Sequence, residues 1–387
     1  MRATAGGGHA VIKRIPTTID YRHDITTYSE DNLYPQRVEQ IMFRSPIAES
    51  AVLAKADFVS GQGFAENGDV ILNEELQLTA NDILKLAAKD YSPFAGFGLH
   101  FNFNALNEIY QVSPIKFEYI RFGVPNEMGK HHDVKVNINW EEDPNKLPTM
   151  MAPTFTYPLF DGKNFNFGDD LEDFSGQVMY WIIEPNVYPK SSLDAVLDSA
   201  QTNGEVQIFE LSNIQNGFLG SSLFKYPGEF KSGKERQDFI GDINGMQGAE
   251  NANSVTVIET PEGIIGETFM ENFPANNNDR LFELTNNNTV NRITQYFGMP
   301  HTILGIMPQT GMFNQEDIIN GFKYYNMRTR NDREHVLRAF NKFGELWHQG
   351  PLNFGGILEN SFEVKDDEED FDETKNTEEN VGTDNNS

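Results

Sequence analysis

The chain has 387 residues, a formal net charge of −28 at pH 7 and no cysteine. The acidic excess argues against the basic footprint of DNA- or RNA-recognising proteins and against binding to an anionic membrane, and the missing cysteine excludes disulfides, zinc–thiolate sites and thiol catalysis. The length permits two or three domains; we expect no secretory signal in residues 1–10 and no membrane-spanning helix, because no apolar run approaches ~18 residues.

The N-terminal part of the sequence predicts an arm and then two consecutive helices. Residues 1–30 are polar and mixed, which is typical of an arm lying on a neighbouring subunit and equally of a disordered segment. Residues 36–60 predict helical structure, and Ser45-Pro46 marks a second start within it, because proline is tolerated in the first turn of a helix. Gly61 ends this pattern.

A further helix and a set of strands follow. Residues 79–92 predict a helix in which Thr79 and Asp82 have the spacing of a capping box. Over residues 97–122, apolar and polar side chains alternate at the period of half-buried strands. The apolar run Val178–Ile183 predicts one more short strand.

The middle of the chain predicts a helix and then a small α/β unit. Residues 191–216 form an amphipathic pattern, and the glycine after Asn216 suits a helix C-terminus. Residues 217–275 predict a strand, a polar helix over Ser232–Ile243 and two further strands. The turn Thr260–Gly263 contains proline and glycine, so we expect the two last strands to pair as a β-hairpin.

The C-terminal part predicts two helices separated by a loop. Residues 276–298 carry a broken apolar stripe, and residues 299–313 form a loop with glycine and methionine. The segment Asn314–Trp347 has an apolar face in both halves and predicts a helix ~50 Å long, with the basic cluster Arg328–Arg333 between the halves. From Glu363 onward the chain is acidic and predicts disorder.

Patterns that support catalysis are missing from the sequence. Residues 228–235 nearly match a phosphate-binding P-loop, but Glu235 stands where a hydroxyl must reach Mg²⁺, and its carboxylate would repel phosphates. His131, His132 and Asp133 are adjacent, so their side chains alternate in direction and predict surface residues rather than a metal site. We therefore predict no enzyme activity, no cofactor and no metal.

Three short strings in a fixed order resemble a known family. The first is Asn216–Phe218 at the end of one predicted helix, and the second is Phe297–Gly305, "FGMPHTILG", at the end of the next. The third is Phe313–Glu316, which opens the long helix. Their order and spacing over residues 36–347 resemble the tailed-bacteriophage portal proteins, the head-to-tail connector family.

The resemblance implies an α+β fold, a portal-like protomer whose parts have established names. These parts would be an N-terminal arm (1–30), an α/β wing (31–190) joined by the long helix (314–347), a stem of two helices (191–216 and 276–298), a small α/β clip (217–275), a tunnel loop (299–313), and a reduced crown with a disordered acidic tail (348–387).

The resemblance also implies a function that depends on shape. The protein would form a ring of twelve subunits at one capsid vertex, the channel for DNA packaging and ejection, assembled in the host cytoplasm and retained in the virion. Its partners would be the major capsid protein, the head–tail adaptor and, transiently, the terminase large subunit. Double-stranded DNA would pass without sequence specificity, because an acidic lumen repels phosphates.

The residues expected to matter fall into three sets. The tunnel loop facing DNA would include Gly305, Met307, Gln309, Thr310, Gly311 and Met312, with the glycines as hinges. Salt bridges between subunits are expected from Arg328, Arg330 and Arg333, although acids four residues away or a phosphate are other possible partners. Terminase-facing clip residues would include Lys231, Lys234, Glu235, Pro261 and Glu262.

Two other protein classes stay open on the sequence alone. The abundant carboxylates are compatible with an acidic, metal-dependent nucleic-acid-processing enzyme, which would show activity on DNA with Mg²⁺ or Mn²⁺. A β-rich surface adhesion module is the second class. The missing secretory signal and the long C-terminal helices count against that module.

Overall fold

Helices and small sheets alternate along the chain in this computed structural model, which describes residues 15–140, 153–162, 176–183, 187–215, 222–227, 232–246, 256–260, 269–272, 279–306 and 315–361. The helices of these ranges are α1 (Tyr34–Arg44), α2 (Pro46–Ser60), α3 (Ala80–Phe94), α4 (Leu197–Gln215), α5 (Gly233–Met246), α6 (Asp279–Phe297) and α7 (Gln315–Gly344). The predicted α+β class is therefore confirmed.

The strands are short and form small separate sheets. They are β1 (Ile19–Asp20), β2 (Ile25–Thr26), β3 (Ile71–Asn73), β4 (Leu78–Thr79), β5 (Gly96–Phe103), β6 (Ile109–Ile115), β7 (Ile120–Phe122), β8 (Asp133–Val136), β9 (Phe155–Pro158), β10 (Gln177–Ile182), β11 (Ser222–Pro227), β12 (Thr256–Thr260) and β13 (Phe269–Asn272). Antiparallel pairing gives the orders β10-β5-β6 and β7-β8-β9.

One hydrophobic core lies around the sheet β10-β5-β6. The predicted alternation along β5 is present, since Leu99 and Phe101 are fully buried, and Phe101 lies opposite Val112 on β6. Side chains of α3 and of the C-terminal half of α7 belong to the same cluster, including Phe340 and Phe343. The long helix is thus part of the same folded unit as these N-terminal elements.

A second core joins α1, α2, the start of α4 and the end of α6. Its centre is aromatic, with the rings of Tyr28 and Tyr188 stacked at 4.1 Å between centroids. The guanidinium of Arg121 is fully buried beside them and donates to the carbonyls of Asn32 (2.7 Å) and Glu118 (2.8 Å). Since a buried cation needs acceptors, these carbonyls explain how the arginine is tolerated.

The starts of α2 and α3 follow the signals read from the sequence, whereas α4 begins at Leu197 rather than at the predicted residue 191. The Ser45 hydroxyl accepts from the Ala48 N–H at 3.4 Å and caps α2, which begins at Pro46 as predicted. At α3 the capping box is complete: the Asp82 N–H donates to the Thr79 hydroxyl, and the Thr79 N–H donates to the Asp82 carboxylate. Both caps satisfy N–H groups that a helix cannot pair internally.

The helix α7 is shorter than predicted. Its 30 residues correspond to about 45 Å, and it ends at Gly344 rather than at Trp347. A Cβ on Gly344 would lie 2.5 Å from the Leu352 carbonyl oxygen, so the returning chain passes close to the end of the helix. No helix within the described ranges is both long and apolar enough to cross a membrane.

The sheet of β11, β12 and β13 corrects the sequence prediction. We expected β12 and β13 to pair with each other as a hairpin, but β11 lies between them in the order β12-β11-β13. It pairs with β12 in parallel and with β13 in antiparallel orientation. Because α5 connects β11 to β12, these elements form a strand–helix–strand crossover, which places its two strands parallel.

The predicted N-terminal arm, residues 1–30, is too long. The strands β1 and β2 pair with each other, and Ile25 and Tyr28 are buried at 1% and 0% exposure. The Tyr28 hydroxyl donates to the carbonyl of Pro189 at 2.6 Å. This part of the segment therefore belongs to the folded body, because its apolar side chains complete the second core.

Residues 350–361, which we call the C-terminal strap, are folded against the rest of the protein. This finding corrects the prediction of a reduced crown and tail for this part of the chain. Phe354 is fully buried against Phe64 and Phe340. The Leu358 N–H donates to the Gly63 carbonyl at 2.9 Å, so the strap also pairs with the turn after α2. The tail predicted to be disordered, from Glu363 onward, lies outside the described residues.

Candidate functional site

The segment in which sequence analysis placed the tunnel loop begins at the end of α6. Gly298 has φ +59°, its N–H donates to the Gln295 carbonyl at 3.0 Å, and the Met299 N–H donates to the Thr294 carbonyl at 3.0 Å. These two bonds form a Schellman motif, which requires a residue in the left-handed conformation and favours glycine. The glycine of the predicted "FGMP" string thus ends the helix.

Arg328 on α7 completes this helix end. Its Nε donates to the Phe297 carbonyl at 2.7 Å, and its Nη2 donates to the Tyr296 carbonyl at 3.3 Å. With the two bonds of the Schellman motif, the last four carbonyls of α6 all have donors. We call this arrangement the α6–α7 cap; it places a cation where the helix dipole is negative.

After the α6–α7 cap the chain folds back onto α7. The Ile303 N–H donates to the Pro300 carbonyl and the Ile306 N–H to that of His301, both at 3.0 Å. This turn touches α7 at Gly321, where a Cβ would lie 2.6 Å from the Thr302 hydroxyl. The first part of the predicted tunnel loop is therefore a folded turn held by a helix.

Of the residues predicted to face DNA, only part lies in the described chain. Gly305 has φ +67° and open space where a Cβ would be, which suits a turning point. The other five lie outside the described residues: Met307, Gln309, Thr310, Gly311 and Met312. Their channel role stays a prediction.

The three arginines predicted to join subunits have different surroundings. Arg333 is 4% exposed and is bound within its own chain, to the carbonyls of Phe58 and Asn326 and to the Glu359 carboxylate at 2.7 Å. Arg328 serves the α6–α7 cap. Arg330 is exposed and pairs with Glu334, one helical turn away, at 3.0 Å. Because Arg333 is buried, it cannot contact a neighbouring subunit. A salt bridge between subunits stays a prediction for Arg328 and Arg330.

The predicted clip residues are only partly described. Lys234 and Glu235 are exposed in the first turn of α5, where the Ser232 hydroxyl accepts from the Glu235 N–H at 3.2 Å. The described end of the P-loop-like string, Ser232–Glu235, is thus the capped start of a polar helix. Lys231, Pro261 and Glu262 lie outside the described residues.

The adjacent histidines point to different partners. His131 Nδ1 lies 2.8 Å from the Gly123 carbonyl oxygen, and His132 Nε2 lies 2.7 Å from Asn126 Nδ2. In the part of the chain that the structure describes, no group of three or more histidines, aspartates and glutamates could hold a metal ion.

Sequence analysis missed two features of this region. The first feature is the α6–α7 cap. A glycine after a helical pattern is a recognised stop signal, but the cap also needs Arg328, which lies about thirty positions further along the chain. The second feature is a polar pocket between α2, α6 and α7, which contains Lys55 and Arg328. No periodic pattern indicates it, because its side chains come from four separate segments.

The comparisons with known proteins rest on structure alone, since no family model and no curated protein matches the sequence. A chain in the virion of the native gene transfer agent (GTA) particle is similar at a TM-score of 0.52 and 12% identity, covering 82% of this chain and 83% of that one. A chain in the neck of the empty GTA particle, computed with C6 symmetry, is similar at 0.51 and 11%, with the same coverage.

A weaker similarity concerns an HK97 family phage portal protein from Corynebacterium diphtheriae. It has a TM-score of 0.43 and 8% identity, covering 78% of this chain and 88% of that one, which is too low to carry an argument. The two GTA similarities span most of both chains. This chain therefore shares its fold with a chain of the GTA virion and with a chain of the GTA neck.

Proposed function

We propose that this protein is the portal of a phage-like particle, forming a ring at one capsid vertex through which DNA is packaged and ejected. The observation that carries the proposal is the shared fold with a chain of the GTA neck over 82% of this sequence. That neck was computed with C6 symmetry, and a ring of twelve subunits is compatible with a six-fold axis.

The geometry of the described residues supports the same proposal. The pair α4 and α6 pack along each other and carry exposed apolar side chains, including Ile208, Leu211 and Leu284, which neighbouring subunits of a ring would cover. The turn over residues 300–306, which belongs to the predicted tunnel loop, is folded against α7 at Gly321. The net charge of −28 would keep DNA from adhering.

The proposed partners follow from this position. The ring would contact the major capsid protein at its outer surface, the terminase large subunit during packaging and the head–tail adaptor afterwards, with the clip as the docking part. The protein would carry out no catalysis itself. An assay of DNA cleavage with Mg²⁺ or Mn²⁺ tests that statement, and we expect no product above the metal-only control.

Electron cryomicroscopy of the purified full chain, with mass photometry, tests the proposal. We expect a closed ring with a central channel and a mass about twelve times the 43.9 kDa of one chain. Residues 305–313 should line the narrowest part of that channel. A ring with this loop on its outer rim, or a closed dimer with a deep acidic cleft, would contradict the proposal.

A further inference from the structure

A polar pocket of about 380 Å³ lies where α2, the end of α6 and α7 meet, beside the residues that precede α4. We call it the Lys55 pocket. Its walls are mostly hydroxyl-bearing or charged side chains, which distinguishes it from the apolar groove between α1, α2 and α3. The lining residues are Lys55, Ser192, Tyr296, Phe297, Tyr325, Arg328, Thr329 and Asp332.

The ammonium of Lys55 has weak partners for its degree of burial. Its side chain is 15% exposed, and Nζ lies 3.5 Å from the Ser192 hydroxyl and 3.7 Å from the Asp332 carboxylate. An ammonium has three N–H donors, and hydrogen bonds between charged groups are ordinarily about 2.7–2.9 Å long. The ammonium also lies 5.8 Å from the centroid of the Tyr91 ring, a contact that uses no N–H donor in a hydrogen bond of ordinary length, so this largely buried cation has donor capacity to spare.

A second cation, Arg328, lines the same pocket. Its Nε and Nη2 are taken by the α6–α7 cap, whereas its Nη1 takes no part in those two bonds. Burial lowers the pKa of Lys55, the Asp332 carboxylate acts in the opposite direction, and the charge of Arg328 lowers this pKa by a smaller amount.

The one carboxylate of the pocket only partly balances these two cations. Asp332 is shared, because it also accepts from the Tyr91 hydroxyl at 3.1 Å. The lining thus holds two cations and one carboxylate, a small positive excess in a chain of net charge −28. This balance favours an anion of low charge.

We propose that the Lys55 pocket binds a small oxyanion, a phosphate or a carboxylate, between Lys55 Nζ and Arg328 Nη1. Such an anion would give the ammonium the short acceptor that the protein does not supply. The anion comes either from solution or from an acidic side chain of a second copy of this chain. The proposal does not depend on the portal function.

The test uses the full chain and two matched variants, Lys55→Met in the pocket and Lys323→Met at an exposed position of α7. The midpoint of thermal unfolding is measured in inorganic phosphate, in acetate and in chloride at equal ionic strength. We expect phosphate or acetate to raise the midpoint of the wild type and of Lys323→Met by a few degrees more than that of Lys55→Met. General stabilisation by phosphate affects all three proteins alike.

A second readout covers the case in which Lys55→Met does not fold. Wild-type protein is labelled with an amine-reactive reagent, and modification of each lysine is followed by mass spectrometry. We expect phosphate or acetate to slow the labelling of Lys55 severalfold and to leave that of Lys323 unchanged. Equal labelling of Lys55 with and without both anions, together with equal midpoint shifts in all variants, would overturn the proposal.

Mass photometry distinguishes the two sources of the anion. If the pocket holds a carboxylate of a second copy, free phosphate competes with it, and the oligomer fraction falls as phosphate is added. If the anion comes from solution, the oligomer fraction is unchanged while Lys55 is still protected. Both results support the pocket and differ only in its natural occupant.

Discussion

Single residues at the end of α6 determine how that helix meets α7. Gly298 has a positive φ, and a Cβ added to it would lie 2.6 Å from the guanidinium carbon of Arg328. The glycine was part of a string identified in the sequence, but its contact with the arginine was not predictable, because the partner comes from another helix. The arginines of the basic cluster were predicted to form salt bridges between subunits, and the contact of Arg328 with α6 was missed for the same reason.

We predict that Gly298→Ala lowers the free energy of unfolding by about 2 kcal/mol, since the left-handed backbone costs about 1 kcal/mol and displacement of the arginine costs a similar amount. Urea unfolding measures this difference. The matched control is Gly305→Ala, which has a similar φ of +67° but open space at the Cβ position. Gly305→Ala should lower the free energy of unfolding only by the cost of the left-handed backbone, about 1 kcal/mol. Equal losses in both variants would contradict the role given to Arg328.

Carboxyl groups at the junction of α1, α3 and the turn before β7 should make stability depend on pH. Burial, and then the hydrogen bond and charge of Glu118, raise the pKa of Glu39 to about 8. Burial also raises the pKa of Asp90 to about 7, although the hydrogen bond that its carboxylate accepts from the Phe117 N–H lowers this pKa. Lys116, 3.8 Å from Glu39 and 3.3 Å from Glu118, acts in the opposite direction.

A raised carboxyl pKa means that the folded state holds its proton to higher pH than the unfolded state does. The stabilisation by protonated Glu39 is complete below its pKa in the unfolded state, near 4.5. It is lost as the pH rises through its pKa in the folded state, near 8. We predict that Glu39→Gln removes this part of the pH dependence of stability. At pH 8 the variant should be more stable than the wild type by on the order of 1 kcal/mol.

Urea unfolding at pH 5 and at pH 8 measures the effect of Glu39→Gln. The control is Glu75→Gln, an exposed position in the turn between β3 and β4, which should follow the wild type at both values. A stability difference between Glu39→Gln and the wild type that is the same at both pH values would show that Glu39 does not titrate in this range.

At the scale of elements, periodic segments were predictable and aperiodic ones were not. The helices α2, α3 and α7 follow from apolar spacing and start signals, and β5 follows from alternation. The C-terminal strap has no repeat, and what holds it, Phe354 against Phe64 and Phe340, depends on partners far along the chain. A local pattern contains no information about such a contact.

We predict that Phe354→Ala destabilises the protein by about 3–5 kcal/mol, because it empties a fully buried aromatic site. The measurement is the midpoint of urea unfolding. Leu358→Ala is the matched control in the same strap: its side chain is 46% exposed, so the loss should be about 0.5 kcal/mol or less. Similar losses in the two variants would mean that the strap contributes through its backbone alone.

The β11–β13 sheet shows a different kind of failure. The turn residues Thr260–Gly263 indicated a hairpin, and consecutive strands often pair, yet β11 separates the two strands. The order strand, helix, strand at β11, α5 and β12 is itself a signal for a parallel pair. The turn residues and the order of strand, helix and strand led to different predictions, and the order of elements describes the structure.

At the scale of the whole molecule, the net charge of −28 leads to a prediction about DNA. We predict that the protein does not retain double-stranded DNA at about 0.15 M salt, because an acidic surface gains no affinity from counterion release. Fluorescence anisotropy of a labelled duplex measures this, with a series of lower salt concentrations as the control. Submicromolar binding with a steep salt dependence would show a basic surface hidden by the overall charge.

Deleting residues 364–387 should leave both assembly and stability intact. The described strap ends at Ser361, where Gln62 Nε2 donates to its hydroxyl at 2.9 Å, so the deletion starts beyond the last described contact. Mass photometry and the thermal midpoint measure the two properties. Loss of the oligomer on this truncation would make the acidic tail part of an interface, whereas deletion from Gly350 should unfold the protein because it removes Phe354.

The C-terminal strap also sets an order of events during synthesis. Phe354 fills the first core beside Phe64, which leaves the ribosome about 290 residues earlier, and Leu358 pairs with the turn after α2. Since the core cannot close before the strap is translated, α2 and α3 must wait with an open apolar face while most of the chain is made. Contacts of such sequence separation slow folding, so the apolar faces of α2 and α3 stay exposed longer than they would if their partners were near in the sequence.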